Sequence, residues 1–175
     1  MKNDLIWTKT LLSVYRYLER ICGAIDKIVM KSALNSADIL GQNYFYNNVY
    51  SISQKIIDLS ERKITLINLK ILIEETLGEI DKKSARILIQ KYFDGTKCKD
   101  IALINNVSLR TVFRKMSNAE NAFSCRLRMK GYNSFKLDNM LKEEGWINNV
   151  FLRLSEKNDE DFSLSNSYLA KAVSM

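Results

Sequence analysis

The sequence predicts an all-α fold, on three observations. Proline is absent and glycine occurs six times in 175 residues, so little interrupts a helix. β-Branched residues do not fall into the alternating runs of half-buried strands. Apolar residues recur instead at spacings of three and four, the period of a helix with one face in a core. A chain of this length buries roughly two-thirds of its unfolded surface, so one domain or two small ones need no covalent staple.

The elements follow in order. Residues 4–31 predict one long amphipathic helix, because Trp7, Leu11, Val14, Leu18, Ile21, Ile25 and Ile28 form a single stripe. The segment NSADILGQN, residues 35–43, predicts a break, with Gly41 and several cap-forming side chains. Phe45, Val49, Ile52, Ile56 and Leu59 predict a helix over 43–59. Ile64, Ile67, Ile71 and Leu77 predict another over about 61–79, with Gly78 marking either its end or a bend through which the chain runs on. KKSARILIQKYF, residues 82–93, predicts a helix with Ala85, Leu88, Ile89 and Tyr92 inward, stopped by Asp94-Gly95. A short helix follows at about 97–104, then the turn Asn105-Asn106-Val107. Ser108 is a good N-cap for a long helix over about 109–130, and Gly131 a natural stop. Ser134 to Glu144 predicts one more short helix ended by Gly145, and Trp146 to Leu154 continues apolar. Residues 155–175 are polar and acidic and predict a loose tail. The expected organisation is a helical region over 1–79, a second domain over 80–132, a helical extension over 133–154 and an acidic tail over 155–175.

Charge is distributed unevenly. Residues 1–81 carry ten Lys/Arg and ten Asp/Glu. Residues 82–136 carry thirteen Lys/Arg against three acids (Asp94, Asp100 and Glu120), a net +10. Residues 137–175 carry four Lys/Arg against seven acids, a net −3. The positive excess therefore sits in one third of the chain. Such a block fits either a solvated basic face or the electrostatic footprint of a nucleic-acid binder.

Cys22, Cys98 and Cys125 are scattered, and the chain has no histidine. The usual zinc sites need paired Cys or Cys/His ligands, so no metal is expected. Isolated thiols suit a reducing, cytoplasmic setting. MKNDLIWTK lacks the apolar stretch of a signal peptide, and no apolar run reaches the ~18 residues of a membrane span. No histidine, no glycine-rich phosphate loop and no nucleophile with a neighbouring base point to catalysis. The expectation is a non-enzyme without a cofactor.

IALINNVSLRTVFRKM, residues 101–116, has helix–turn–helix arithmetic. Ala102 is small enough for two helices to cross closely. Asn106 stands where the chain must turn with positive φ, which asparagine tolerates best after glycine. Val107 would plug the turn into the core, and Val112 and Met116 fall one turn apart on the inner face of the second helix. Leu109, Arg110, Thr111, Phe113, Arg114 and Lys115 are then left to face outward. In a recognition helix these positions reach the major groove. Arg bonds guanine O6 and N7 together, while Thr and Phe contact a thymine methyl. Lys115 would as easily reach a phosphate. Lys97 and Lys99 begin the preceding helix, where cations and free N–H groups favour phosphate oxygens. The bland alternative turns Phe113 into the core and leaves the arginines solvated.

The stretch SARILIQKYFDGTKCKDIALINNVSLRTVFRKMSNAENAF, residues 84–123, resembles region 4 of the sigma-70 family of bacterial RNA polymerase sigma factors. The shared features are a helix ending in KYFDG, then KDIA, the turn, and S-x-x-TV with a basic continuation. With its lead-in, ITLINLKILIEETLGEID, the resemblance covers about a third of the chain. It implies a helix–turn–helix DNA-binding domain that reads a promoter element through its second helix and docks on polymerase. By position, Arg110, Thr111, Phe113, Arg114 and Lys115 would face bases or nearby phosphates, and Ser108 would cap their helix. Arg86, Lys91, Lys97 and Lys99 would support backbone contacts. Two asparagines depart from the family: Asn105 stands at a usually apolar position and Asn106 at a frequent glycine. Residues 1–60 show nothing like region 2, so the resemblance implies a region-4-like regulator and not a complete sigma factor.

The expected fold class is thus all-α, N-terminal amphipathic helices followed by a helix–turn–helix DNA-binding domain. The expected partners are double-stranded DNA, RNA polymerase and a second copy of the chain, with no membrane. The aromatic residues of 1–79, among them Trp7, Tyr15, Tyr17, Tyr44, Phe45 and Tyr46, fit either a dimerisation or partner surface or packing on the second domain. Two other functions stay open: a module docking on polymerase without reading DNA, and a phage-type packaging or replication protein built as an oligomeric collar.

Overall fold

The computed structural model describes the backbone of residues 2–39 and 46–156, and the side chains of residues 3–34 and 50–156. Among these residues the fold is all-α, with no strand. Helix α1 spans Lys2–Ile39 and α2 spans Tyr46–Gly78. Helix α3, Lys82–Leu88, runs into a π-helical turn at Ile89–Phe93. Helix α4 spans Cys98–Ile104, α5 Leu109–Met129 and α6 Ser134–Leu141. A last helix, α7, begins at residue 145 and runs to 156. No helix among the described residues is long and apolar enough to cross a membrane.

The chain divides into two compact units. Unit 1 is Met1–Val14 with Thr76–Met175, and unit 2 is Tyr15–Glu75. In unit 1, Trp7, Leu11 and Leu12 of α1 are buried, as are Leu88, Ile101, Val112, Phe123, Leu127 and Leu137 from later helices. Trp7 stacks on Phe151 with ring centroids 4.6 Å apart, and its Nε1 donates to Asp138 at 2.9 Å. The carboxylate of Asp4 accepts from the Ser134 backbone N–H at 3.0 Å. The aromatic Trp7 is thus a packing residue. Thr8 and Thr10 are also buried, and each hydroxyl is satisfied within the helix, donating to Asp4 O and Ile6 O at 3.0 and 2.9 Å.

Unit 2 is a helix pair. Leu18 and Ile25 of α1 and Leu66, Leu69 and Ile73 of α2 are buried. Tyr15 donates to Glu74 at 2.5 Å, Lys70 pairs with Glu19 at 3.5 Å and Lys63 with Asp26 at 2.6 Å. Numbers rise along α1 as they fall along α2, so the two helices run antiparallel. Burial and the Glu74 carboxylate push the Tyr15 phenol up to about 12.

Several elements differ from the sequence reading. Helix α1 continues through Ile39 into the segment expected to break, and Gly41 lies outside the described residues. The two helices expected over 43–59 and 61–79 are one. Nothing between Tyr46 and Leu77 is glycine or proline, and the Ser60 hydroxyl folds back onto Ile56 O at 2.8 Å within the helix. The buried stripe of α2 is Leu66, Leu69, Ile73 and Leu77, whereas Ile64, Ile67 and Ile71 are exposed, as is Ile28 on α1. Ile87 is buried beside Leu88 at the end of α3, and Ile89, the first residue of the π turn, is exposed. Gly145 opens α7 instead of closing α6. Residues 157–175, most of the expected tail, lie outside the described residues, as do Tyr44 and Phe45.

Candidate functional site

The segment with the basic excess folds as α3 through α5. Asp81 caps α3, accepting from Lys83 N at 3.0 Å and Ser84 N at 2.9 Å, and the hydrogen bonds from Ser84 hold its carboxyl below the usual range. The π turn ends at Asp94, and Gly95 takes φ +70° so that Thr96 N–H reaches back to Gln90 O at 2.9 Å. Helix α4 then begins. Its buried Ile101 and Ala102 face the core, and Val107 N–H donates to Ala102 O at 3.0 Å.

The turn between α4 and α5 is built by three polar side chains. Asn106 adopts φ +49°, the left-handed conformation expected there. Asn105 donates through Nδ2 to Ile101 O at 2.8 Å, a second hydrogen bond to the carbonyl that its own backbone N–H reaches at 3.1 Å. Ser108 caps α5: its Oγ accepts from Thr111 N at 3.2 Å and shares a 2.9 Å hydrogen bond with Thr111 Oγ1. Val112 is buried and Met116 half-buried, which fixes the rotation of α5.

That rotation sorts the candidate residues into two groups. Arg110, Phe113 and Arg114 face solvent, with Phe113 52% exposed, so the ring is not in the core. Neither arginine forms a salt bridge among the described residues. Thr111 is half-buried and tied to the cap, and Lys97 and Lys99 are exposed at the start of α4. Lys97 caps α4 with no side-chain hydrogen bond. Lys115 is set apart. It lines a cleft of ≈ 440 Å³ between α3 and the α4–α5 pair, together with Lys83 and Arg86. The cleft has apolar walls in Ile87, Ile101, Val107 and Val112, and amides in Gln90, Asn105 and Asn118. Arg86 and Lys115 form no salt bridge among the described residues. Lys83, Gln90 and Asn118 were not singled out by sequence; a basic residue one turn before Arg86 was the only available signal. Lys91 is half-buried.

Behind this surface sits a buried polar link. Tyr92 donates to Glu120 Oε1 at 2.6 Å, and Lys9 Nζ lies 3.8 Å from Glu120 Oε2. Glu120 is only 6% exposed, so it removes one of the three acids of the basic segment from the surface. Burial, then the Glu120 carboxylate, push the Tyr92 phenol well up.

The arrangement offers cations, amide donors and one exposed aromatic ring, which suits contact with phosphate oxygens and base edges. Among the described residues, no group of three or more His, Cys, Asp or Glu side chains could hold a metal ion. Cys22, Cys98 and Cys125 are free and half-buried, and burial pushes the Cys22 thiol up. In comparisons with known proteins, no family model, no curated protein and no solved structure matches this chain.

Proposed function

We propose that the chain is a sequence-specific, double-stranded-DNA-binding regulator of transcription, with α4 and α5 acting as a sigma region 4-like helix–turn–helix. One observation carries the reading. A capped helix presents Arg110, Phe113 and Arg114 to solvent within a segment of net +10. In this reading α5 enters the major groove, where the arginines take guanine edges and Phe113 a thymine methyl. Lys97, Lys99 and the cleft cations Lys83, Arg86 and Lys115 take phosphates along the flanks. The test is fluorescence anisotropy with genomic fragments and a random duplex across a salt series. The reading expects affinity that falls steeply with salt and at least one preferred fragment. No binding at low salt would sink it.

A second reading is favoured by the exposure of Leu103 and Ile104, two large apolar residues at the end of α4. In that reading the same helices dock on RNA polymerase without reading DNA. Capture of core polymerase from nuclease-treated extract, abolished by Leu103→Glu with Ile104→Glu, would favour it.

A further inference from the structure

Helix α2 carries two apolar stripes, and unit 2 covers one of them. Leu66, Leu69 and Ile73 are buried. On another face, Tyr50, Ile57, Ile64 and Ile71 follow one another at intervals of seven residues. They are 74%, 50%, 57% and 46% exposed, and Ile67 beside them is 38% exposed. A repeat of seven drifts only ~20° per repeat on a straight helix, so these side chains form nearly one line. Such a line is one of the two rows of a coiled-coil seam, and Ser53, Ser60, Ile67 and Glu74 stand on the other. The flanks suit a close approach. Ser53 and Ser60 are small, and the Ser60 hydroxyl already has its acceptor at Ile56 O, 2.8 Å away. On the opposite flank Gln54 donates to Asp58 at 2.8 Å, and Glu61 and Asn68 are exposed, a polar rim that stays wet.

We infer that this stripe is the docking surface for a second copy of the chain, α2 against α2. A heptad seam needs a heptad complement, and a copy related by a two-fold axis supplies the identical one. Burying these five side chains removes roughly 500 Å² per copy and about 1,000 Å² for both, where specific interfaces begin. Residues 1–81 carry ten Lys/Arg and ten Asp/Glu, so two such regions meet without net repulsion. The stripe lies in unit 2 and α5 in unit 1.

Sedimentation equilibrium on the full chain, from low to high micromolar concentration, tests this. The expected mass is twice the 20.3 kDa of one chain. Ile57→Glu with Ile64→Glu is expected to halve it and keep the far-ultraviolet ellipticity, since both side chains are at least half exposed. The milder pair Ile57→Ser with Ile64→Ser, which guards against misfolding of the first, is expected to weaken self-association about tenfold or more. Leu103→Glu with Ile104→Glu, in unit 1, leaves the dimer intact. A monomeric wild type, an assembly larger than two, or a dimer unaffected by either Ile57/Ile64 pair overturns the inference.

Discussion

At the scale of single residues, the Tyr92–Glu120 pair ties the π turn to the middle of α5. Tyr92→Phe removes the 2.6 Å hydrogen bond and leaves a carboxylate that is 6% exposed short of a donor. Thermal unfolding should show a loss of about 1–3 kcal/mol. The pair also sets an alkaline limit. The folded state keeps the phenol neutral and raises its pKa, so this contribution is whole below the ordinary value of 10.0 and is lost as pH climbs above it. Tyr92→Phe should flatten that alkaline decline in a pH series of melts. Arg110 and Arg114 have the opposite character. On the DNA reading, replacing either by Ala should cost about 1–3 kcal/mol on the preferred duplex while ellipticity and melting stay unchanged. A drop in helicity would show them to be structural instead. Most of this residue-level picture was legible: Ser108 as cap, Asn106 with positive φ, and Val112 inward all follow from local stereochemistry. Thr111 was less so, because its hydroxyl turns to Ser108. The Tyr92–Glu120 bond spans 28 positions, beyond what any local pattern reveals.

At the scale of elements, the α4–α5 turn depends on few groups. Ser108→Ala removes the acceptor of Thr111 N–H and should cost about 1 kcal/mol in thermal stability. Asn106→Val forces a β-branched residue to φ +49° and should cost about 1–2 kcal/mol, whereas Asn106→Gly should cost little. Among the described residues the presence of helix was readable because no proline and few glycines oppose it. Helix identity on faces was not. In α2 the period of apolar residues is satisfied by two stripes, and only the antiparallel neighbour α1 decides that Leu66, Leu69 and Ile73 are inside. The same limit covers Ile89, which adjoins the buried Leu88 yet faces solvent, and Gly145, which stands as readily at the start of α7 as at the end of α6.

At the scale of the whole molecule, charge and partners matter more than any one contact. The basic excess of residues 82–136 and the balance of residues 1–81 were plain in the sequence, but their surface expression was not. Folding hides Glu120 and gathers Lys83, Arg86 and Lys115 on one cleft. On the DNA reading, neutralising any one of these three should lower the slope of log affinity against log salt by about 1, with little change in which fragment is preferred. Burial of Trp7 has a separate, optical consequence. The two tryptophans, Trp7 and Trp146, both belong to unit 1, and Trp7 is packed against Phe151 away from water. Intrinsic tryptophan emission therefore follows residues 1–14 and 76–175, while ellipticity sums every helix. Where the emission and ellipticity melts part, the difference is the unfolding of residues 15–75, read without attaching a dye.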